Sequence, residues 1–352
     1  MKTIPKRMLL LLLCAALLLT AGCTGREERE KYSASFFDCF DTVISIYGYA
    51  ENQTAFNEMV GLVHEQFLAL HRQFDAYHAY EGVANVYTIN EQAGGEPVAV
   101  SDELFALLAG AKQMYGQMGG KVNIAMGAVL RVWNTYRELA TKDPDAASVP
   151  KAKELGMAAQ HVDINCLILD EQNKTVALAD RYMSLDVGAV AKGYACDLVR
   201  ERLVAAGYDN FVISAGGNVV TCGRDVGKDE DWAIGIQNPD LQATNEVVDT
   251  VLVCGQAVVT AGSYQRYFTV DGRRYHHIID PATARPAAYY DSVTVICDNS
   301  LLADYLSTTL FILPPSQAMA LAQEVDGVEA MWIDLEGQIT HTDGYADYSK
   351  TY

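Results

Sequence analysis

The sequence predicts an α+β fold, with helices concentrated in the first half of the chain and short strands in the second. Three observations support this class. Hydrophobic residues recur at helical spacing over residues 56–74, turn residues separate short β-rich runs after residue 211, and strands and helices do not alternate regularly as in βαβ proteins. The 352 residues, half of them hydrophobic, suffice for one large domain or two ordinary ones.

The first third of the chain contains a predicted strand over residues 36–47 and two predicted helices. Ser101 is a suitable N-cap for the second helix, which extends to Met118. The first helix is recognised by a stripe of large apolar side chains at three- and four-residue steps. These side chains are Phe56, Val60, Val63, Phe67, Leu70 and Phe74.

The middle of the chain is predicted to contain a polar loop over residues 142–150 and two β-rich runs over 162–170 and 175–178. A helix beginning near Ala191 should end at Gly207, because glycine tolerates the left-handed conformation of a helix C-cap.

The second half is predicted to consist mainly of short strands. Asp271-Gly272 lies between the β-rich segments 267–270 and 274–279, which is a strong hairpin signal. Further strands are expected at 211–214, near Ala233, Val248 and Ala257, and at 292–297 and 330–333, with helices over 301–312 and 316–324.

The N-terminus has the features of a lipoprotein signal peptide over residues 1–22. Three basic residues precede an apolar run, residues 8–19, that is too short to span a bilayer. The run ends in Leu-Thr-Ala-Gly-Cys, which resembles a lipoprotein cleavage box and predicts Cys23 as the lipidated first residue of the mature chain. Cleavage by the ordinary signal peptidase is the alternative. Residues 23–35 are then a tether, and residues 36–352 form a domain anchored to the cell membrane on its extracytoplasmic side.

The formal net charge of −19 argues against nucleic acid as a partner, because phosphate backbones require a basic surface. An anionic ligand would need a metal ion or local cations to reverse the field at its site. The six cysteines after Cys23 are scattered singly, without the spacing of a zinc site. They are interpreted as buried small side chains, and a disulfide remains open for an exported protein.

Asp304 and Thr308 are the first candidate site residues. They are four residues apart in a predicted helix, so their side chains project from one face. A carboxylate and a hydroxyl suit a hard cation such as Mg²⁺, and an Asp among apolar neighbours is costly unless it is paired or bound to metal. The alternative is an exposed Asp on the solvent face of the helix.

The segment Asp186-Val-Gly-Ala-Val-Ala-Lys-Gly193 is a second candidate. A strand is expected to end here and a helix to begin, which leaves free amides that attract phosphate, with Lys192 supplying positive charge. Asp186 could orient the loop, or Ala189 could offer its carbonyl to a cation. The P-loop spacing is absent, so a purely structural turn is the alternative.

Four further stretches could contact a ligand, although each alone is equally consistent with a structural turn or core position. Gly216-Gly217 after a strand allows close backbone approach, and Thr260, Gly262 and Tyr264 combine small residues with an aromatic ring. Asn123 is a polar residue in an apolar run. Tyr77 and His78 follow the first long helix.

Eight stretches in chain order carry a family resemblance: FDTVISI, FDAYH, VNIAMGAVLRVW, LDVGAVAKGYACD, ISAGGNVVTCG, TAGSYQRYF, YHHIIDP and ADYLSTTLF. Together, behind a lipoprotein signal, they resemble the FAD:protein FMN transferase family, the ApbE-like flavin transferases. The resemblance extends from about Phe36 to near the C-terminus and implies a T-fold-like α+β architecture with one catalytic unit. It also implies binding of FAD and Mg²⁺, and transfer of the FMN half of FAD to a Ser or Thr hydroxyl of an exported acceptor flavoprotein, with release of AMP.

The resemblance also implies roles for individual residues. Asp304, Thr308 and the backbone oxygen of Ala189 are expected to hold the metal ion. His277 matches the histidine of the family's HIxDP stretch near the pyrophosphate, as general base or hydrogen-bond donor, while Asp304 is the other candidate for activating the hydroxyl. His276 should point to the opposite face of its strand. The residues expected to contact FAD are Phe40, Tyr77, His78, Asn123, Lys192, Gly216, Gly217, Thr260, Gly262, Tyr264 and His277.

Three stretches depart from the usual family pattern. Phe40-Asp41-Thr42 replaces Met-Gly-Thr, Thr260-Ala-Gly-Ser263 replaces Thr-Ser-Gly-Asp, and Asn123 replaces an Asp. None is an expected metal ligand, so these changes are expected to affect FAD affinity rather than the reaction. Two alternatives remain: an FAD pyrophosphatase that uses water, and a flavin-binding lipoprotein without catalysis.

Overall fold

The computed structural model describes residues 29–352 and centres on an eight-stranded, fully antiparallel sheet. The strands of this part of the chain are β1 (Glu30–Cys39), β2 (Thr42–Ala50), β3 (Val98–Ala99), β4 (Leu167–Asp170), β5 (Thr175–Leu178), β6 (Phe211–Ala215), β7 (Asn218–Cys222), β8 (Trp232–Gln237), β9 (Val247–Val253), β10 (Ala257–Gly262), β11 (Tyr267–Val270), β12 (Arg273–His276), β13 (Ile279–Asp280), β14 (Arg285–Pro286), β15 (Tyr290–Cys297), β16 (Glu329–Asp334) and β17 (Ile339–His341). The order across the main sheet is β1-β2-β6-β7-β10-β15-β16-β17.

The α-helices of the described residues lie mainly in the first half of the chain. They are α1 (Gln53–Phe74), α2 (Val86–Glu91), α3 (Asp102–Gln117), α4 (Gly127–Lys142), α5 (Ala152–Ala158), α6 (Ala191–Ala205), α7 (Ser300–Ile312) and α8 (Pro315–Glu324). With the antiparallel sheet, this arrangement confirms the predicted α+β class.

The two faces of the main sheet are covered by different elements, as the alternation of side chains along a strand requires. On one face, residues such as Ile46, Ile213 and Val295 join the large core that α1, α6 and α7 complete. On the other face, Val212 and Ile296 pack with residues of the β8–β9 ribbon and with Tyr345. The sheet is therefore buried on both faces over its centre.

The strand predicted over residues 36–47 is wrong as a single element. The structure has two strands, β1 and β2, joined at Phe40 and Asp41, which have φ angles of 55° and 50°. Two successive residues with positive φ form the kind of tight turn that closes a two-residue hairpin. Neither residue is glycine, so the usual sequence signal was absent. Strand β1 begins at Glu30 and thus includes residues 30–35, which were predicted as tether.

Several other boundaries differ from the predicted ones. The predicted run 162–170 forms a strand only from Leu167, because residues Ile164–Cys166 form a short 3₁₀ turn. Strand β12 ends at His276, and another strand, β17, follows the one expected to be last. Helix α4 was not predicted; its N-cap position is Met126, which forms no side-chain cap, so no start signal marks it.

The other predicted elements are present. Ser101 caps α3 by accepting the Leu104 amide at 3.1 Å, and the Asp271-Gly272 hairpin joins β11 and β12. Helix α6 ends before Gly207, whose φ of 92° is left-handed. Within residues 29–352 no helix is both long and apolar enough to cross a membrane. Cys23 and the signal peptide lie outside the described residues.

Candidate active site

One cavity of about 1170 Å³ gathers nearly all of the predicted site residues. It lies where the β1–β2 turn, the β6–β7 turn, the end of β10, the segment before α6 and one side of α7 meet. The predicted residues that line it are Phe40, Tyr77, His78, Asn123, Ala189, Lys192, Gly216, Gly217, Thr260, Gly262, His277, Asp304 and Thr308. Residues separated by more than 260 positions in the sequence thus share one site.

Asp304 is buried at the wall of this cavity, with 4% of its surface exposed, so it does not lie on the solvent face of its helix. Its Oδ2 atom accepts a hydrogen bond from the Gly193 amide at 2.9 Å. Burial raises the pKa of Asp304, while Lys192, the Gly193 amide and the nearby Asn218 amide favour the charged form. The Asn218 Nδ2 atom is too poorly placed for a hydrogen bond to Asp304. Although Asn218 is only 2% exposed, this atom has no hydrogen-bond partner among the described residues.

The start of α6 leaves the Ala189 carbonyl outside the helix. Val190 is the N-cap, so Gly193 is the third helical residue and its amide is one of the first four that have no acceptor within the helix. This amide donates to Asp304, and the first bond of α6 is from the Tyr194 amide to Val190. Among the described residues no backbone amide donates to the Ala189 carbonyl, and Ala189 lines the same cavity as Asp304.

The donor atoms at this point fit a hard divalent cation. Asp304 has a carboxylate, Thr308 lies one helical turn further along α7, and Ala189 has a carbonyl outside α6. Only Oδ2 of Asp304 is used by Gly193, which leaves the second oxygen for another partner. All three groups offer oxygen atoms, which Mg²⁺ prefers, and the Asn218 amide, which has no partner among the described residues, could donate to an anionic ligand of such an ion.

His276 and His277 have different environments, as predicted, but strand alternation is not the reason. His276 is 8% exposed, and its Nε2 lies 3.0 Å from the Ala287 carbonyl, so this nitrogen donates and the ring is structural. His277 lines the cavity and follows the end of β12, so strand alternation does not determine its direction. Its Nδ1 lies 3.3 Å from the Arg266 carbonyl, which places the proton on Nδ1 and leaves Nε2 as an acceptor.

Cationic side chains cluster around His277. Burial lowers the pKa of His277 to about 3, and the charges of Arg266, Lys192 and Arg137 act in the same direction. Burial also lowers the pKa of Arg137, helped by the like charge of Arg266. This group of cations, which all line the cavity, provides the local reversal of charge that an anionic ligand of an acidic protein requires.

Aromatic and amide groups also line the cavity. The Tyr77 hydroxyl donates to Asp186 at 2.8 Å and accepts from Asn134 at 2.7 Å. Asp75 orients this segment by accepting the amides of Tyr77 and His78. The exposed half of the Tyr77 ring is therefore held in place and is available for stacking on a planar ligand.

The Gly216-Gly217 turn requires glycine at its first position. Gly216 has a φ of 55°, and a Cβ atom there would lie 2.1 Å from the Thr42 hydroxyl oxygen. The backbone of the β6–β7 turn can therefore pack directly on the start of β2 at the cavity wall. This close approach is between two segments of the protein, and the predicted approach of a ligand to the Gly216-Gly217 backbone stays a prediction.

Two predicted ligand contacts take a different form. Tyr264 is 5% exposed and is not among the cavity-lining residues, because its ring packs beneath Gly262. It supports the wall of the cavity. Asn123 lines the cavity, but its side chain already donates to the Val162 carbonyl and accepts the Ala125 amide. Its amide therefore shapes the local backbone.

Sequence reasoning missed Arg137 and Arg266 as members of the site. Arg137 lies on α4, which was not predicted, and Arg266 lies within the quoted stretch TAGSYQRYF but has no pattern of its own. A lone arginine carries no spacing signal, so only the tertiary contacts reveal these two. Asn218, in contrast, stands at the end of the quoted stretch ISAGGN and was available as a candidate.

This chain is similar to several known proteins in sequence and in fold. The FAD:protein FMN transferase of Treponema pallidum (strain Nichols) is 32% identical over 335 residues, which cover 93% of this chain and 91% of the relative. That of Klebsiella pneumoniae (strain 342) is 35% identical over 280 residues, covering 77% and 83%. The solved structure of the ApbE protein of Thermotoga maritima superposes with a TM-score of 0.79 at 26% identity, covering 91% of this chain and 99% of the other. The apo form of the flavinyl transferase ApbE of Pseudomonas stutzeri gives 0.75 at 26% identity, covering 91% and 97%.

The fold and the cavity thus define a protein of the flavin transferase class. The sequence model of the ApbE family matches residues 40–332, and the chain belongs to this family. The family resemblance and the α+β architecture predicted from the sequence are both confirmed.

Proposed function

We propose that this chain is an FAD:protein FMN transferase that moves the FMN half of FAD onto a Ser or Thr hydroxyl of an exported acceptor protein. The observation that carries the proposal is the buried Asp304 carboxylate at the wall of a large cavity that Ala189 and Thr308 also line. Membership of the ApbE family and relatives named FAD:protein FMN transferase support the same activity.

In the proposed reaction, the acceptor hydroxyl oxygen attacks the phosphorus of the FMN half of FAD. A new phosphorus–oxygen bond forms, the bond to the AMP half breaks, and AMP leaves with the bridging oxygen. When bound, Mg²⁺ would neutralise charge that develops on the diphosphate. Asp304, Thr308 and the Ala189 carbonyl would hold the ion.

His277 is proposed to receive the hydroxyl proton. Its lowered pKa keeps the ring neutral near pH 7, and the proton on Nδ1 leaves Nε2 free to accept another. A bound diphosphate would offset the surrounding cations and make the imidazolium easier to form. Asp304 is the alternative acceptor of this proton, and Lys192 and the two arginines would bind the diphosphate.

The test is incubation with FAD, Mg²⁺ and a candidate acceptor, followed by intact-mass analysis of the acceptor and chromatography of the nucleotides. Transfer predicts an acceptor heavier by one FMN unit and an equal amount of AMP. Free FMN with an unlabelled acceptor would favour hydrolysis of FAD, and stoichiometric FAD binding without AMP would favour a non-catalytic flavin lipoprotein.

Asp304→Ala should abolish turnover while leaving the chain folded, and unchanged turnover would contradict the metal assignment.

We also propose that the chain is anchored outside the cytoplasm by a lipid on Cys23. The proposal rests on the basic segment, the short apolar run and the Leu-Thr-Ala-Gly-Cys sequence. Cell fractionation and intact-mass analysis test this proposal. The wild-type chain should be found in the membrane fraction, whereas the Cys23→Ser chain should lack the lipid and the mass that the lipid adds. A Cys23→Ser chain with the same mass and distribution as wild type would refute the anchor.

A further inference from the structure

A buried carboxylate outside the cavity joins α7, which carries two of the proposed metal ligands, to α6, which begins two residues after the third. Asp197 on α6 is 6% exposed, and its oxygens accept the backbone amides of Ser300 at 3.1 Å and Leu301 at 2.9 Å. These amides belong to the first turn of α7, whose N–H groups have no partner within the helix. Asp197 therefore caps α7 from a neighbouring helix and places negative charge at its positive end.

Arg200 completes this junction. Its guanidinium donates to Asp197 at 2.8 Å, to the Asp298 carbonyl at 2.8 Å and to the Gly255 carbonyl at 2.9 Å. Burial raises the pKa of Asp197, but the two amides and Arg200 oppose this effect. The charged carboxylate is thus compensated by groups from both sides of the junction.

The two helices approach each other very closely along this line. Gly193, Asp197 and Arg200 are spaced so that they share one face of α6. A Cβ atom on Gly193 would lie 2.3 Å from the Ser300 carbonyl oxygen and 2.6 Å from the Cβ atom of Asp304. The register between α6 and α7 is therefore determined at successive turns, and it brings the Gly193 amide to Asp304.

We propose that Asp197 is a positioning residue for the metal site. By capping α7 from α6, it holds Asp304 and Thr308 in register with the segment that presents the Ala189 carbonyl. Asp197 does not line the cavity, so it acts only through these residues. The inference rests on the proposed metal site. Its competitor is a purely structural role, in which Asp197 stabilises the fold without affecting the ligands.

Asn299 provides a matched control. Its side chain accepts the Leu302 amide at 2.7 Å, so it also caps the N-terminus of α7, but it does so from within the same segment. Asp197→Asn and Asn299→Ala each weaken a cap of the same helix. Only the first weakens the connection to α6.

Two measurements on the full chain separate the explanations. Hydrogen–deuterium exchange of the metal-free protein measures the protection of the Gly193 amide. Titration with Mn²⁺, followed by electron paramagnetic resonance, measures the affinity of the proposed metal site. Asp304→Ala should abolish this binding and so identifies the site. Asp197→Asn should accelerate exchange at Gly193 and raise the Mn²⁺ dissociation constant about tenfold. Asn299→Ala should lower the Tm and leave both quantities unchanged.

A lower Tm for Asp197→Asn with wild-type exchange at Gly193 and wild-type Mn²⁺ affinity would show that Asp197 is only structural. A wild-type chain that binds no Mn²⁺ would instead overturn the proposed metal site, and the positioning role with it. If Asp197→Asn does not fold, Asp197→Ser replaces it, because the shorter hydroxyl cannot accept both amides as the carboxylate does. Exchange at Gly193 must then accelerate and Mn²⁺ affinity must fall, and unchanged values would refute the proposal.

Discussion

Single residues in the cavity have unusual ionisation because the site is enclosed and contains several cations. Burial raises the pKa of Asp304, whereas burial and neighbouring cations lower the pKa of His277 to about 3. The proposed ligands would reduce both shifts. A divalent cation would lower the pKa of Asp304, and a diphosphate would raise the pKa of His277. The site is therefore complementary to a metal-bound anion rather than to either ion alone.

The altered pKa of His277 predicts a pH dependence of folding. An unfolded histidine has a pKa of about 6.5, so between that value and about 3 the unfolded chain binds a proton that the folded chain excludes. The free energy of unfolding should therefore fall as the pH decreases through this window, by at most about 1.4 kcal/mol per pH unit from this residue. Urea titrations between about pH 7 and 5 should show a shallower fall for His277→Gln. Equal slopes for the two proteins would contradict the assignment.

Thr308 and its neighbour Thr309 allow a second prediction at the residue scale. Thr308 lines the cavity, whereas the hydroxyl of Thr309 is buried without a partner. Thr308→Val should raise the Mg²⁺ concentration for half-maximal activity roughly tenfold, with little change in Tm, because a neutral ligand is lost and the shape is kept. Thr309→Val should leave the Mg²⁺ dependence unchanged. If both substitutions have the same effect on it, Thr308 is not a ligand.

At the scale of elements, the contact between α6 and α7 decides the geometry of the site. The amide of Gly193 can reach Asp304 only because no side chain separates the two helices. Ala189 directly precedes the N-cap of α6, so the same contact brings the segment that contains its carbonyl to the cavity with Asp304. The start of α6 is thus coupled to the placement of a carboxylate more than 100 residues later.

Gly193→Ala should destabilise the chain by about 1–3 kcal/mol, because the added methyl group would overlap the Ser300 carbonyl and the side chain of Asp304. Mg²⁺-dependent activity should fall with it, since α7 must shift. Gly61→Ala is the control: Gly61 lies on α1 with no atom within 4 Å of an added Cβ. That substitution should stabilise the chain by about 0.5–1 kcal/mol. Thermal unfolding measures both, and equal Tm values for the two variants would refute the close contact.

At the scale of the whole molecule, a strongly acidic protein surrounds a locally cationic cavity. The net charge is −19, yet Arg137, Lys192 and Arg266 line the same site. Long-range repulsion and short-range attraction should therefore act on an anionic substrate in opposite directions. Salt screens the first more than the second, because the local contacts are closer than the Debye length.

This balance predicts that the association rate constant of FAD rises with ionic strength. Stopped-flow measurements of flavin fluorescence at roughly 20 and 150 mM salt should show a severalfold increase, because screening reduces the repulsion. Arg266→Gln should bind FAD more weakly at both concentrations. A rate constant that falls with added salt would mean that the cationic cavity, rather than the net charge, controls the approach.

The sequence alone determined the α+β class, most long helices and the helical spacing of the Asp304–Thr308 pair that is proposed to bind a metal ion. These features are local: the stripe on α1, the Ser101 cap and the Asp304–Thr308 spacing each depend on residues only a few positions apart. The β1–β2 turn escaped because Phe40 and Asp41 adopt positive φ without a glycine, and α4 escaped because Met126 gives no cap signal.

Only the tertiary structure decided how the candidate residues meet. It brought thirteen of the fourteen predicted ligand contacts into one cavity, placed Tyr264 behind its wall, and added Arg137 and Arg266. It also showed that the Gly193 amide donates to Asp304 and that no backbone amide in residues 29–352 donates to the Ala189 carbonyl. The physical reason is that hydrophobic periodicity and helical spacing are local properties of the chain, whereas burial, electrostatic shifts and the contact of α6 with α7 arise from packing between distant segments.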